Sequence, residues 1–248
     1  MADKKVAVVT GGAGGIGQAI AARFIGEGVR VMVADIDGDK ARRVAKELSR
    51  DGSMARAVEV DVTRLDSIQN MVNETLRFMG KIDILVTSHG VNRRKPLEEV
   101  TEEDWDVVID VNLKGTYFCG QLVGKVMKTR GRGSIVNIAS IMSVSSLPHL
   151  SVYCASKGGV AQITRAFAVE WAQDGINVNA VAPGYIKTEL TAQWLDDPER
   201  YRDIISKAAM GKLATVEDVA AAVSFLASDA ARNITGQILF VDAGWTVW

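Results

Sequence analysis

Val6-Ala7-Val8-Val9-Thr10-Gly11-Gly12-Ala13-Gly14-Gly15-Ile16-Gly17 runs an unbroken apolar, β-branched stretch straight into a turn with five glycines in seven residues. Beyond it Ile16, Ala19, Ile20, Arg23 and Phe24 recur at helical spacing, so strand, glycine turn and helix follow without a linker. Glycines let a backbone come close to a ligand, and the first turn of a helix presents unpaired N–H groups with partial positive charge. Such a turn cradles a pyrophosphate. The spacing is Gly11-x-x-x-Gly15-x-Gly17, with Gly14 inside it, rather than the tighter G-x-G-x-x-G. Either spacing alone is a weak signal, and its place between a strand and a helix is what gives it weight.

Working outward, short β-branched runs alternate with longer helical patterns. Residues 6–9, 29–34, 55–60, 82–86, 134–138, 177–181 and 238–241 read as seven strands. Helix starts are marked by Thr101-Glu102-Glu103-Asp104 and Thr215-Val216-Glu217-Asp218, both shaped like capping boxes. Long helices are expected over 102–127 and 151–173. Strands that are apolar throughout and joined by helices imply a parallel sheet covered on both faces. The expected fold is α/β, a single-domain Rossmann-like doubly wound fold over residues 1–248, with a seven-stranded parallel sheet and helices on both faces. One segment, about 184–210, breaks the alternation and reads as a partly helical substrate lid.

Composition narrows the function classes. Of 248 residues, 48% are hydrophobic and 24% charged, and the net charge of -1 gives no field that would favour nucleic acid or an anionic membrane. The longest apolar stretch, Val219 to Ala227, is too short to span a bilayer. Two cysteines, Cys119 and Cys154, provide neither a disulfide framework nor metal-ligand spacing, so no metal is expected. The chain passes from Met1-Ala2-Asp3-Lys4-Lys5 into a strand with no signal-peptide core, and a cytoplasmic protein is expected.

Two further features sharpen the chemistry. Asp35 closes the second strand, where a carboxylate accepts from adenosine ribose hydroxyls and repels a 2′-phosphate, which favours NAD over NADP. Arg42 and Arg43 beyond it read as solvated surface charges. Asp61, before Val62, can meet an adenine amino group or cap the next helix. Tyr153 and Lys157 stand four apart in Ser151-Val152-Tyr153-Cys154-Ala155-Ser156-Lys157, so on a helix they share a face. A tyrosine hydroxyl ionises near pH ~10, and a neighbouring ammonium favours the phenolate. A dinucleotide cradle with a proton acceptor spells hydride transfer.

With these elements in place the chain resembles the short-chain dehydrogenase/reductases over nearly its whole length. The matching features are Thr10-Gly11-x-x-x-Gly15-x-Gly17, Asp61, Asn112 in Val111-Asn112-Leu113-Lys114-Gly115, Ser140 after the fifth strand, Tyr153-x-x-x-Lys157 and Pro183-Gly184-x-Ile186-x-Thr188. The resemblance implies that Tyr153 is the general acid/base and that Lys157 lowers its pKa and binds the nicotinamide ribose. It implies that Ser140 donates to the reacting oxygen and that Asn112 holds a relay water. The Ile186 backbone and Thr188 would hold the carboxamide, and Gly90, Pro183 and Gly184 would lie along the cofactor. The chain departs from the family after the fourth strand, where Thr87-Ser88-His89-Gly90 stands in place of the usual Asn-Asn-Ala-Gly. Thr87 is expected to bond less widely than asparagine, and His89 to lie beside the cofactor rather than in the proton relay.

The substrate is read from thinner signals. Asn92-Arg93-Arg94-Lys95-Pro96-Leu97 places cations near the cleft mouth, suited to a carboxylate or else to surface and subunit contacts. That segment, Glu170-Trp171-Ala172-Gln173 and the tail Val241-Asp242-Ala243-Gly244-Trp245 look like the branch containing gluconate 5-dehydrogenase and 2-deoxy-gluconate 3-dehydrogenase. A sugar acid or polyol is therefore expected, contacted by Arg93, Arg94, Met142, His149, Tyr185 and Trp194, with His149 alternatively a surface residue. The apolar Ile141, Met142, Val144, Leu147 and Leu150 pull toward a less polar ketone. Two rivals are a 3-oxoacyl-[acyl-carrier-protein] reductase, with Arg130 and Arg132 as docking cations, and a non-catalytic dinucleotide sensor. The resemblance also implies a homotetramer.

Overall fold

A computed structural model of the chain describes residues 4–188, 191, 192 and 195–247. Trp194, expected at the substrate, lies outside the described residues. The strands are β1 (Val6–Thr10), β2 (Arg30–Asp35), β3 (Ala55–Glu59), β4 (Ile84–Thr87), β5 (Gly133–Ile138), β6 (Ile176–Pro183) and β7 (Ile238–Val241). They form one sheet in the order β3-β2-β1-β4-β5-β6-β7, with every neighbouring pair parallel. The order reverses between β1 and β4, and such a switch point opens a crevice at the carboxyl ends of the strands.

Helices cover both faces: α1 (Gly15–Gly26), α2 (Gly38–Leu48), α3 (Leu65–Met79), α4 (Glu102–Ile109), α5 (Gly115–Lys128), α6 (Ser151–Trp171), α7 (Pro198–Ser206) and α8 (Val216–Ala227). On one face Ile20 and Phe24 of α1 meet Val219, Val223 and Leu226 of α8 over Val9, Val33 and Val86. On the other, Ile68 and Met71 of α3 join Val123 and Met127 of α5 over Val8, Leu85 and Ile135. The alternation of side chains along each strand thus feeds two cores. Among the described residues no helix is long and apolar enough to cross a membrane.

The expected helix over 102–127 differs in one respect that matters below. It begins with the capping box of Thr101 and Asp104, but a π turn over Asp110–Lys114 separates α4 from α5. A one-residue widening shifts the helical register without erasing the apolar period, so the pattern reads straight through it. The helix expected to end at 173 stops at Trp171, with a 3-10 turn to Asp174 before Gly175 at φ 73°.

Arg130, weighed as a docking cation, has another role at the opposite edge of the sheet. Its Nη1 lies 2.9 Å from Asp83 Oδ1, while Asp83 Oδ2 accepts from the Val6 N–H at 2.9 Å and from Lys81 Nζ at 3.1 Å. Asp83 sits at the amino-terminal foot of β4, away from the crevice, and both it and Lys81 are buried. Breaking a buried pair leaves an uncompensated charge. Asp83→Ala should therefore lower stability by roughly 3–5 kcal/mol, read as a fall in the denaturant midpoint at constant slope; a change under ~1 kcal/mol would mark the cluster as an ordinary surface pair.

Candidate active site

The glycine turn closes the crevice on one side. Gly11 has φ 64°, a left-handed conformation that favours glycine, and a Cβ there would stand 2.7 Å from the backbone of Ser88 and His89. The loops after β1 and β4 are thus in direct backbone contact at the switch point. A Cβ on Gly17 would stand 2.1 Å from the Gly11 carbonyl oxygen. The N-cap of α1 is Gly14, and no side chain caps that end or places an acid in its first turn. Across the gap, a Cβ on Gly15 would meet the Thr188 methyl at 3.3 Å, so Thr188 faces the glycine turn. Asp35 Oδ2 accepts from the Ala13 N–H at 3.0 Å and Oδ1 from the Asp37 N–H at 3.2 Å, which puts its carboxylate at the shoulder of the turn.

Asp61 proves to be a turn-maker. Its Oδ1 accepts from the Thr63 N–H at 2.9 Å and hydroxyl at 2.7 Å, whereas the N-cap of α3 is Arg64. Capping of the helix by Asp61, one of its two readings, is therefore not what the structure has. Val62 packs beneath α5, where a Cβ on Gly115 would come within 2.8 Å of it. Pro183 ends β6, Gly184 follows with its N–H donating to Val241, and Ile186 is buried in the core.

The second half of the site is carried on α6 and the end of β5. Ser140 is the N-cap of a 3-10 turn, Ile141–Ser143, and its hydroxyl accepts from the Met142 N–H at 3.1 Å. The same hydroxyl is hydrogen-bonded to Tyr153. Ser143 and Ser145 are turned elsewhere, onto the carbonyls of Lys157 at 2.9 Å and Ile141 at 2.8 Å. Of the serines in that loop with recorded bonds, Ser140 is the one facing the phenol. Lys157 is buried, and its Nζ donates to the Ile138 carbonyl at 2.8 Å while lying 5.8 Å from the Tyr153 ring centre.

The electrostatics differ from the expectation that the ammonium holds the phenol down. Burial raises the Tyr153 hydroxyl above its ordinary pKa, and the groups that oppose this are Ser140, by its hydrogen bond, and Arg94, by its charge. Burial also pulls Lys157 down to about 8. The cause is common to both. Removing water disfavours the charged form of each group, and among the described residues no carboxylate offsets this at the ammonium.

Asn112, in the π turn, is buried and spans the crevice floor. Its Oδ1 accepts from the Val91 N–H at 2.8 Å, and its Nδ2 donates to the Val91 carbonyl at 2.9 Å and to Ser156 Oγ at 3.0 Å. Both amide protons are therefore committed to protein. Gly90 lies against this group and the lysine, since a Cβ there would stand 3.4 Å from Asn112 Oδ1 and 3.7 Å from Lys157 Nζ. Thr87 does tie the sheet together: it donates to Asn137 Oδ1 at 2.8 Å, and Asn137 passes the contact to Thr164 on α6 at 2.9 Å.

His89, expected beside the cofactor and outside the proton relay, turns its side chain into the protein. Its ring is buried, with Nδ1 2.6 Å from Thr10 Oγ1 and Nε2 3.3 Å from Thr116 Oγ1. Polar partners for the imidazole exist inside the protein, and they draw it there. Thr10, Thr116 and Ser156 were not singled out as site residues, and hydroxyls on strand ends and helices carry no local signal of such a role.

Of the expected substrate residues, Arg94 is hydrogen-bonded to Tyr185 and close enough to Tyr153 to bias its ionisation. Met142 is buried in a cluster with Ile141 and Leu150, against which Tyr153, Tyr185 and Trp245 pack. Trp245, from the tail, meets Tyr185 edge-on with ring centres 6.3 Å apart. Arg93 is exposed, as Arg94 is, and His149 is exposed with φ 67°. Among the described residues no cluster of side chains could hold a metal.

Comparison with known proteins agrees with this geometry. A family model described as enoyl-(acyl carrier protein) reductase matches residues 11–246. The D-threitol dehydrogenase of Mycolicibacterium smegmatis is 40% identical over 246 residues, covering 99% of this chain and 94% of that one. The NAD-dependent glycerol dehydrogenase of Listeria innocua is 41% identical over 244 residues, covering 98% and 94%. Among solved structures, a gluconate 5-dehydrogenase from Burkholderia cenocepacia in complex with NADP and tartrate is similar at TM-score 0.95 and 34% identity, covering 98% of this chain and 96% of that one.

The desolvated lysine has a measurable signature. Its folded pKa of about 8 lies below the ordinary 10.5, so between those values the unfolded chain holds a proton that the folded one has released. Stability then rises with pH across that window. Subtracting the unfolding free energy of Lys157→Met from that of the wild type should give a difference that is flat below pH ~7 and grows from pH ~8 to ~10. A difference that stays level throughout would mean the ammonium keeps its water.

Proposed function

The chain belongs to the short-chain dehydrogenase/reductase family and is an oxidoreductase acting on CH–OH groups; from that premise we propose that it moves hydride between NAD(H) and the secondary alcohol or ketone of a sugar acid or polyol. The observation that carries this reading is the hydrogen-bonded pair of Ser140 and Tyr153 hydroxyls, with Arg94 beside the phenol and the Lys157 ammonium behind it. The nicotinamide dinucleotide supplies the two-electron donor or acceptor. Everything else falls to the chain's own groups. Gly11, Gly14, Gly15, Ile16 and Gly17 offer the backbone and helix end for the pyrophosphate. Asp35 faces the ribose, while Gly90, Lys157, Ile186 and Thr188 bound the space left for the nicotinamide end.

In reduction, Tyr153 gives its hydroxyl proton to the developing alkoxide while Ser140 donates a hydrogen bond to the same oxygen. In oxidation the flow reverses, and the alcohol proton passes to the Tyr153 oxygen. Because burial keeps the phenol protonated through neutral pH, the free protein is poised as an acid. Oxidation therefore speeds up as pH rises and reduction does not.

Arg94 and Tyr185 form a polar rim, and Met142, Leu150 and Trp245 an apolar wall. A carbohydrate chain presents hydroxyls on one side and C–H groups on the other, and it matches both. The Trp245 indole N–H, enclosed and without a protein partner among the described residues, is a further donor for a substrate hydroxyl. The carrier-protein alternative loses one support, because Arg130 is paired with Asp83 at the far edge. Asp35 supports NAD by opposing a 2′-phosphate. In the same reading the segment at 184–210 is the lid: Leu195 and Ile204 are buried, and the Met210 N–H is held by the Ala243 carbonyl. Exposed Trp105, Tyr117 and Val169 on α4, α5 and α6 support a homotetramer, and unbridged Cys119 and Cys154 fit the cytoplasm.

Reduced-cofactor formation should be followed across polyols, sugar acids, hydroxy acids and an acetoacetyl thioester in the reverse direction, with NAD(H) and NADP(H) in parallel. Tyr153→Phe should lower kcat by roughly 10²–10⁴-fold on whichever alcohol turns over. A thioester reduced with strong NADPH preference would overturn the proposal. Arg94→Ala should raise KM for carboxylate-bearing substrates about tenfold, the equivalent of ~1.4 kcal/mol, and leave neutral polyols within about twofold. Equal effects on both classes would remove the anion-binding role.

A further inference from the structure

His89 stands where the β1 loop, the β4 loop and the π turn converge, yet the proton chemistry above makes no use of it. Its protonation follows from its neighbours. Thr116 Oγ1 donates its hydrogen to the Asn112 carbonyl at 2.7 Å, so toward the ring it can only accept. Nε2 is then the nitrogen that carries the proton, and Nδ1 accepts from the Thr10 hydroxyl, which lies 2.6 Å from it against 3.4 Å from the Val86 carbonyl. The ring also bonds to the Val111 carbonyl. Both carbonyls reached in this way, Val111 directly and Asn112 through Thr116, lie inside the Asp110–Lys114 turn. A π turn departs from the i→i+4 ladder and frees backbone groups, which need other partners when buried.

We propose that His89 is a positioning residue: a neutral strut from the end of β1 to the π turn, holding Asn112 in register beside Lys157. The inference rests on the dehydrogenase reading for its catalytic consequence. It is independent of that reading for its structural one. Asn112 grips Val91 and Ser156 with its side chain, and a Cβ on Gly90 would stand between Asn112 Oδ1, at 3.4 Å, and the Lys157 ammonium, at 3.7 Å. If the turn relaxed to an ordinary α-helical register, the Asn112 side chain would rotate by a fraction of a turn and release Val91. Burial of the ring and the nearby Lys157 charge keep His89 unprotonated down to about pH 3, so the strut does not switch in the working range. A charged imidazolium would donate from Nδ1 and leave the Thr10 hydroxyl only the Val86 carbonyl, 3.4 Å away, as acceptor.

The test uses the whole protein and three variants chosen by where their polar atoms fall. His89→Phe keeps the ring volume and loses the bonds to Thr10, Thr116 and Val111 alike. His89→Asn places its amide near the Nδ1 position and can serve Thr10 only. His89→Gln carries its amide further out, near the Nε2 position, and can serve Val111 and Thr116. Amide hydrogen exchange across 109–116 should quicken in the Phe and Asn variants and return toward wild type in Gln. On the best substrate from the panel, kcat should fall at least about tenfold in Phe and Asn, since a displacement near 1 Å can cost roughly 10²-fold. KM for the dinucleotide should stay within about twofold, and Gln should recover most of kcat. Unchanged exchange in the Phe variant overturns the strut outright. Quicker exchange with full kcat, in a protein that Tyr153→Phe inactivates, overturns its catalytic role. A wild type with no Tyr153-dependent turnover refutes the dehydrogenase reading instead, and the exchange pattern then decides the strut alone.

Discussion

The close approach of Gly11 to the backbone of Ser88 and His89 is the constraint on which the rest of the site depends. A parallel sheet reverses its winding at one place, between β1 and β4, and the loops that leave those strands must diverge to opposite faces. They can be packed together at their roots only if one of them lacks a side chain there. Gly11, at φ 64° and with less than 3 Å between a notional Cβ and the neighbouring loop, meets that need. The contact brings the helix end of α1 to within one loop of Gly90, Asn112 and Lys157. It is this contact that lets the glycine turn and the group of Asn112, Tyr153 and Lys157 face one crevice.

Desolvation sets the character of the chemistry. Burial raises the Tyr153 phenol, lowers the Lys157 ammonium to about 8 and keeps His89 neutral. Burial is the largest cause of all three, with the Lys157 charge adding to it at His89, and all point toward neutral forms. A site biased in this manner responds strongly to any added charge, because little water is left to screen it. The Arg94 guanidinium is the cation that already acts on the phenol from the rim.

What could be read in the sequence divides along the range of the interactions involved. The strands were legible to within two residues at each end because β-branched runs and glycine turns are local signals. The Tyr153–Lys157 pair was legible because helical spacing alone puts both on one face. The π turn was not, since inserting one residue leaves the apolar period of 102–128 nearly intact. Nor were the contacts that decide the electrostatics: Lys157 with Ile138 and Arg94 with Tyr185 join residues far apart along the chain. Local pattern locates these groups on their elements, and tertiary packing alone says which of them meet. The partners of Thr87 and His89 were beyond local pattern for the same reason, because Asn137, Thr10 and Thr116 come from other elements.

The unusual Thr87-Ser88-His89-Gly90 segment then has a physical logic as a unit. Thr87 turns sideways along the sheet and, through Asn137 and Thr164, ties β4 to β5 and α6. His89, two residues on, points to the same side of the chain and reaches Thr10 on β1 and Thr116 on α5. One short side chain and one long one thereby link β4 to both neighbouring strands, to α6 with Tyr153 and Lys157, and to α5, which follows the π turn of Asn112. Gly90 follows with no side chain at all, which leaves room for Lys157 Nζ and Asn112 Oδ1 to approach the backbone there. The segment alternates anchoring with clearance: two side chains tie it to neighbouring elements, and the glycine after them leaves the buried Lys157 its place beside the backbone.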